Sequence, residues 1–550
     1  MMANLPTRME VLGVERCCFF MYSIIARHIR TCCDIIYVKM NGMISRLRAF
    51  FVTTWHKNKI LVKPCLVMFL IYLVGVSAII LANVHFADDV ARTNFGYSGW
   101  TGFSRYTTTI LAYGMHADGY LTNIAPLPQL IAIAILAVSS VLMIYAVVGK
   151  SVFLGSAKKW IWYLIAVIPL GLSPYMLECL AYQYDAPYMA LSILFAVIPL
   201  LFSKSRRWIF ALAIFVGVIV ICTTYQAAVG ILPMLIVVVA VKKWNENKNT
   251  RKLENLKFVL FSAVVFVVSL LVFQKILMKP RDSYASNSLP EFQDLLNVFW
   301  GHLQEYFSHV IGDFKVLWLV LIAMVCVGFV VVFVMRSRRK KMVALFAGIA
   351  VVVFVGVMSF AFYAVLDKPL FATRAMYPFG VAIALLAIFA VTGGGVITYV
   401  MRIPTAILSW CFLVFALTFG NALKEQDIYR SDMQNMVISD LNEMQIMQDD
   451  HAKYIQVTGN LGYSPVIWHM PQEYKILDRL LMPTYSEYAP WMATKITEQS
   501  GFRNLFYNES VDLRDRDLPL LKETYFYDIR GDDEGILVLF KDPRRFDASY

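Results

Sequence analysis

Apolar residues in this chain run in long blocks rather than at strand or helix spacing. A helical block of about 20 apolar residues is long enough to cross a bilayer core of about 30 Å. Eleven blocks qualify as spans: 64–83, 125–148, 160–177, 186–203, 208–224, 226–242, 257–277, 314–335, 342–366, 375–392 and 403–420. The pattern predicts an α-helical, polytopic membrane protein. The division at 208–242 is the narrowest, since only Thr224, Tyr225 and Gln226 interrupt it. One broken helix there would move the far end of the chain to the other side of the membrane.

The last 130 residues, 421–550, differ in kind. The stretch 424–448 carries apolar residues at helical spacing among many charges, which reads as an amphipathic helix. Residues 454–459 (YIQVTG) read as a strand, and 525–541 as two strands around the turn Asp532–Asp533–Glu534–Gly535. A small α/β domain outside the membrane is expected. At the other end, residues 1–42 hold the run CCFFMYSIIA, too short to span, with Arg16 and Arg27 at its sides and no small-residue cleavage site after it. This extension points to an over-extended start, with Met40 or Met43 preceding a basic leader; an interfacial helix is the alternative. Residues 43–420 would then be the membrane domain, with a first outer loop at 84–124.

Composition agrees. The chain is 59% hydrophobic and 16% charged, against the roughly 25% charged residues of an ordinary soluble protein. The net charge of +12 lies mainly in short connections (44–63, 149–160, 203–208, 242–257 and 336–341). Acids gather in the intervening ones: Asp88, Asp89, Asp118, Glu178, Asp185, Asp282, Glu291, Asp294 and Asp367. Under the positive-inside rule this alternation makes the N-terminus cytoplasmic. With eleven spans, residues 421–550 fall on the far side, the periplasm of a bacterium. A nucleic-acid partner is not expected, because no basic, aromatic-interleaved soluble domain exists. Nine cysteines occur, including Cys17, Cys18, Cys32 and Cys33, none in CxxC spacing, so neither a zinc site nor a disulfide framework is supported. The glycines at 393–395 lack the Lys-Ser/Thr of a phosphate loop and read as a turn.

The chemistry concentrates just after the first span, between His85 and Tyr106. Asp88 and Asp89 stand where water is scarce and a carboxylate is costly. In a helix, adjacent side chains point about 100° apart, so the two acids cannot do the same job. Arg92 is four residues after Asp88 and three after Asp89, within reach of either, and a guanidinium can also hold a phosphate. Phe95, Tyr97, Trp100, Phe103 and Tyr106 offer flat apolar faces suited to a sugar; Arg105 lies among them. Phe103, Tyr106, Thr107, Ile110 and Leu111 have the spacing of a helix lying on the membrane surface. The competing reading is an ordinary interfacial loop, since Tyr and Trp favour that zone.

Other outer positions carry less. Tyr184 and Asp185 stand at a span boundary, where Asp185 suits a helix cap as well as a substrate contact. Tyr225 and Gln226 lie at a tight turn. Arg374 is a second candidate for a phosphate. Lys279, Arg281, Glu291 and Asp294 read as solvated charges, and His116, His302 and His309 as interfacial residues. A divalent ion could sit by two acids and a phosphate, but two adjacent carboxylates alone make a poor cage.

The ordered set ANVHFADDVART, GYSGWTGFSRY, YDAPYMAL, TTYQAAVGI and TRAMYPFG resembles the serotype-converting O-antigen glucosyltransferases of enteric bacteria and their temperate phages, the Gtr type II group. The resemblance covers about residues 60–550. It implies a GT-C type fold in the bacterial inner membrane. It implies undecaprenyl-phosphate glucose as donor, supplied by a companion lipid-glucose synthase and flippase, and a hydroxyl of lipid-linked O-antigen as acceptor. It also places an acidic residue of the first outer loop, here Asp88 or Asp89, at the reaction centre. The expected mechanism is one displacement with inversion: the acid takes the acceptor proton, and Arg92 or Arg374 stabilises the leaving phosphate. Tyr97, Trp100, Arg105, Tyr184, Asp185, Tyr225 and Gln226 are the expected sugar and acceptor contacts. A polytopic lipid or polysaccharide transporter would instead carry charges inside several spans, and these spans are nearly free of them. An O-antigen polymerase or ligase would place its dense loop late in the span order rather than first.

Overall fold

The structure is a computed structural model that describes residues 59–246, 252–279, 288–444, 447–448, 450–481, 484–485, 491–508 and 511–541. The N-terminal extension with its four cysteines and alternative starts, and Arg281 and Asp282, lie outside these. The described residues 59–63 and those from 64 onward belong to separate units. Of the first, Lys59–Leu61 forms a 3₁₀ turn.

Among the described residues, eight helices have the length and composition to cross a membrane. They include Leu127–Val147, Arg207–Thr224, Gln226–Glu246, Val316–Met335 and Lys341–Met358. The pair Ala157–Leu172 and Pro174–Ala181, bent by 59°, would make a ninth. The last two of the eleven expected blocks are the shorter helices Ala186–Leu201 and Pro378–Ala390. All eleven blocks are therefore helical; eight, or nine with the bent pair, have the length and composition of a full span. Proline explains the difference. Pro174 forces Ser173 into an extended conformation (ψ 146°) and breaks the third block. Pro378 sets the start of its helix. Helices of 16 and 13 residues reach only about 24 and 20 Å at 1.5 Å per residue, short of the hydrocarbon thickness. The narrow division at Tyr225 is a real break: its extended backbone (φ −146°, ψ 107°) separates Arg207–Thr224 from the 3₁₀ turn Gln226–Gly230.

Pro378–Ala390 is apolar and buried along its whole length, as a helix without a polar face must be. Polar side chains link helices inside the bundle. Tyr72 shares a hydrogen bond of 2.8 Å with Ser140 and donates to the Val167 carbonyl. Gly420 meets the first helix so closely that a Cβ there would stand 2.5 Å from the Ala78 carbonyl carbon. This is the small-residue contact that lets membrane helices touch through their backbones.

The expected boundary at 420–421 falls inside one continuous helix, Val396–Glu443, of 48 residues and about 72 Å. Its lower half is the amphipathic segment seen in the sequence. Met433, Val437 and Leu441 join Ile455, Ile529, Val538 and Phe540 in the core of a small sheet. The strands are β1 (Lys453–Asn460), β2 (Thr484–Tyr485), β3 (Leu505–Phe506), β4 (Leu520–Glu523), β5 (Tyr527–Gly531) and β6 (Gly535–Phe540). Their order is β2-β1-β6-β5-β4, with β3 also paired to β1. The β5–β6 hairpin is antiparallel and β1 runs parallel to β6. Helix Trp491–Ser500 packs against helix Asp88–Phe95. From the short helix Leu477–Leu481, Arg479 reaches into the membrane part, where it donates to Asp313 and to the Phe371 carbonyl. Asp313 also accepts from Tyr175 at 2.8 Å.

Candidate active site

The segment between the first two spans is folded, not a loose loop. Helix Asp88–Phe95 begins with both aspartates in its first turn and ends at Gly96 in the left-handed region (φ 65°), whose N–H closes on the Arg92 carbonyl. Acids at a helix N-terminus are favoured by the backbone dipole. A 3₁₀ turn Trp100–Phe103 and helix Tyr106–His116 follow. Ile110 and Leu111 are exposed on that helix, as the surface-helix spacing requires, while Phe103 precedes it. The non-glycine residues with positive φ are Asn83 (50°), Ala87 (47°), Ser104 (61°) and Ala117 (54°) among the described residues, and all four flank this segment. Such conformations cost of order 1–3 kcal/mol each and collect at functional sites.

The two aspartates have unlike surroundings. Asp89 is fully buried. One carboxylate oxygen accepts the backbone N–H of Gln183 at 2.7 Å and of Phe86 at 3.3 Å. Burial pushes its pKa well above the ordinary carboxylate range, against the pull of Arg92 and the Gln183 hydrogen bond. Asp88, by contrast, has its side chain 56% exposed. Asp89 ties two segments together, and Asp88 faces outward.

Arg92 reaches both acids, at 3.8 and 4.0 Å, but its nearest partner is Asp185 at 2.8 Å. Burial works against its charge; Asp185, Asp88 and Asp89 outweigh that and raise its pKa. Asp185 is the hub. One oxygen takes the Trp100 indole N–H at 2.6 Å and lies 4.0 Å from Arg105. Asp185 stands at the start of helix Ala186–Leu201 but makes no capping bond with its side chain, so the cap expected there gives way to this ionic cluster. Arg92 also stacks over Trp100 at 4.8 Å, and Arg105 over Tyr225 at 4.6 Å.

Arg374 belongs to a neighbouring cluster. Glu178 accepts its guanidinium at 2.9 Å, its backbone N–H at 2.6 Å, and the Thr373 hydroxyl. Burial opposes the Arg374 charge, while Tyr182, Glu178, Tyr225 and Asp88 hold its pKa well above the usual value. Glu178 is not a loop acid as the sequence suggested; it lies buried within helix Pro174–Ala181. A lone acid in an apolar helix was the available signal, because such a group needs a partner.

The expected sugar contacts divide by exposure. Tyr97 is exposed. Trp100, Tyr184, Asp185 and Tyr225 are buried. Tyr184 bonds Thr93 and stacks on His116, and Tyr225 stacks on Tyr377. Gln226 donates to the Phe103 carbonyl at 3.0 Å. Lys279, read as a solvated charge, lines a cavity with Arg105, and its N–H donates to Ser104. No group of three or more His, Cys, Asp or Glu able to hold a metal ion occurs among the described residues.

The arrangement therefore offers one accessible carboxylate beside several guanidinium groups at the edge of a helical membrane bundle. The family model for Glucosyl transferase GtrII matches residues 77–391, which run from the first span through Pro378–Ala390 and contain every residue of this cluster. The chain belongs to the GtrII glucosyl transferase family. The family is described as a glucosyl transferase. The family region stops before helix Val396–Glu443 and the C-terminal sheet. The chain is also 23% identical over 145 residues to an uncharacterized 55.3 kDa protein in the gtrB 5′ region of Salmonella phage P22. That match covers 26% of this chain and 28% of the phage protein. No solved structure matches.

Proposed function

We propose that this GtrII protein is an inverting enzyme that moves glucose from undecaprenyl-phosphate glucose to a hydroxyl of lipid-linked O-antigen at the periplasmic face of the inner membrane. The observation that carries the assignment is the contrast at the start of helix Asp88–Phe95: Asp88 is open to an incoming acceptor, while Asp89 is enclosed. Asp88 acts as the general base. It takes the proton of the acceptor hydroxyl as that oxygen attacks the anomeric carbon, and the bond to the lipid phosphate breaks with its electrons. Phosphate leaves without an added proton because it is already a weak base, and the fixed positive charges nearby stabilise it in a site of low polarity. Asp89, Asp185 and Glu178 are positioning residues. They hold the Gln183 backbone, Arg92 with Trp100, and Arg374 respectively.

A GT-C type arrangement, a cytoplasmic N-terminus, a periplasmic C-terminal domain and a companion synthase and flippase complete this reading. The C-terminal domain borders the site through helix Trp491–Ser500 against helix Asp88–Phe95. Its function is to shape the acceptor side. Expression with the lipid-glucose machinery should add one hexose per O-antigen repeat, visible by mass and linkage analysis. Asp88→Asn, correctly inserted, should abolish the addition. An unmodified O-antigen from the wild-type protein, with donor and acceptor verified, would move the assignment to a lipid transporter.

A further inference from the structure

Three arginines border the cluster, and two are engaged at short range: Arg92 by Asp185 at 2.8 Å and Arg374 by Glu178 at 2.9 Å. Arg105 differs. Its nearest carboxylate oxygen is 4.0 Å away and already accepts the Trp100 indole. Its Nε, like that of Arg92, is buried with no hydrogen-bond partner, so the longer carboxylate distance is what sets Arg105 apart. Arg105 also lines a cavity of about 290 Å³. At the same end stand Ser104 and Lys279. The rest of the lining is mainly apolar, with Leu270, Phe273, Val365, Leu366 and Leu370, and includes Gln226 and Gln274. Leu270 and Phe273 belong to the membrane helix that ends at Leu277.

A cavity with cations at one end and hydrocarbon along the rest matches an amphiphile that has an anionic head and a long apolar tail. We infer that this cavity holds the polyprenyl phosphate of the donor, with Arg105 as the phosphate-binding residue and the first units of the chain between Phe273 and Leu366. This rests on the reading of the protein as a lipid-linked glucosyltransferase and reassigns Arg105 from the acceptor to the donor. Geometry favours the donor over the lipid of the acceptor. The donor phosphate is bonded to the carbon that reacts, so it must lie within the length of a sugar ring and its acceptor oxygen from the base. Arg105 neighbours Asp185, which holds Arg92, which contacts Asp88. The acceptor's lipid is separated from its reacting hydroxyl by intervening sugars.

The test compares two donors on the full-length protein in nanodiscs, one with the undecaprenyl chain and one in which a methyl group replaces the lipid on the phosphate. Leu270→Trp and Leu366→Trp should raise KM for the undecaprenyl donor about tenfold or more and for the methyl donor far less, since only the first places hydrocarbon against these side chains. Arg105→Gln should raise KM for both, and Arg105→Lys should restore part of the loss. Equal effects of the two Trp variants on the two donors, or no effect of Arg105→Gln on either, would overturn the proposal while leaving the transferase reading intact. A photoactivatable undecaprenyl phosphate on the wild-type protein gives a readout independent of transfer and of variant folding. Label on residues 270–279 and 362–370, displaced by undecaprenyl phosphate, is expected. Label elsewhere, or label displaced only by lipid-linked O-antigen, would contradict it. Labelling as expected with no transfer from any donor would keep the lipid site and sink the transferase reading.

Discussion

Replacing Asp88 and Asp89 in turn separates chemistry from architecture. Asp88→Asn keeps the shape of an exposed side chain and removes its basicity. A positioned general base contributes about 10²–10⁴-fold, or about 2.7–5.4 kcal/mol at 1.36 kcal/mol per decade. The variant should lose that much in kcat with little change in thermal stability, because the carboxylate is 56% exposed and its contact to Arg92 is 3.8 Å long. Asp89→Asn is the opposite case. Its amide oxygen can still accept the Gln183 and Phe86 N–H groups, and burial already disfavours the charged form, so stability should fall by no more than about 1 kcal/mol. Asp89→Ala leaves both N–H groups buried and unpaired, at about 1–3 kcal/mol each, and should lower stability by roughly 2–6 kcal/mol in all. The assay is glucose transfer in membranes beside thermal unfolding of the purified protein. A well-folded Asp89→Asn without activity, next to an Asp88→Asn near wild-type rate, would refute the reasoning.

Three other outcomes follow. Asp89 has a raised folded pKa, so the fold binds its proton more tightly than the unfolded chain does; the associated stability is complete below the ordinary carboxylate value of about 3.9 and is lost as pH rises through the raised value. Melting temperature should therefore decline with rising pH more in wild type than in Asp89→Asn, and parallel curves would contradict this. Glu178→Ala strands a largely buried Arg374 and should cost about 3–5 kcal/mol, with Glu178→Gln milder; equal melting curves would rule this out. Arg479→Ala removes the donor to Asp313 and Phe371 and should expose helix Leu477–Leu481 to proteolysis, an effect absent if the contact is incidental.

Much of this was readable in the chain. All eleven apolar blocks are helical, because block length and hydrophobicity are local properties. Their number as full spans was not readable from apolar length alone, because Ser173–Pro174 breaks one block and proline-bounded starts shorten others. The spacing of Asp88, Asp89 and Arg92 gave their mutual reach, since positions three and four apart in a helix are neighbours. It could not reveal that Asp185, 93 positions from Arg92 in the chain, would be its nearest partner. Nor could it tell which acid is enclosed, because the lid on Asp89 is the Gln183 backbone. Glu178 and Arg374 meet across 196 positions. The uninterrupted helix Val396–Glu443 hid the change from an apolar to an amphipathic surface behind constant backbone geometry.

The most direct test of the central claim is transfer by the purified protein in proteoliposomes, with ¹³C-labelled glucose on undecaprenyl phosphate and lipid-linked O-antigen as acceptor, read by NMR at the anomeric carbon. The predicted result is labelled glucose on the O-antigen with inverted anomeric configuration, and no transfer when UDP-glucose replaces the lipid donor. Retained configuration, or transfer from UDP-glucose alone, would contradict it.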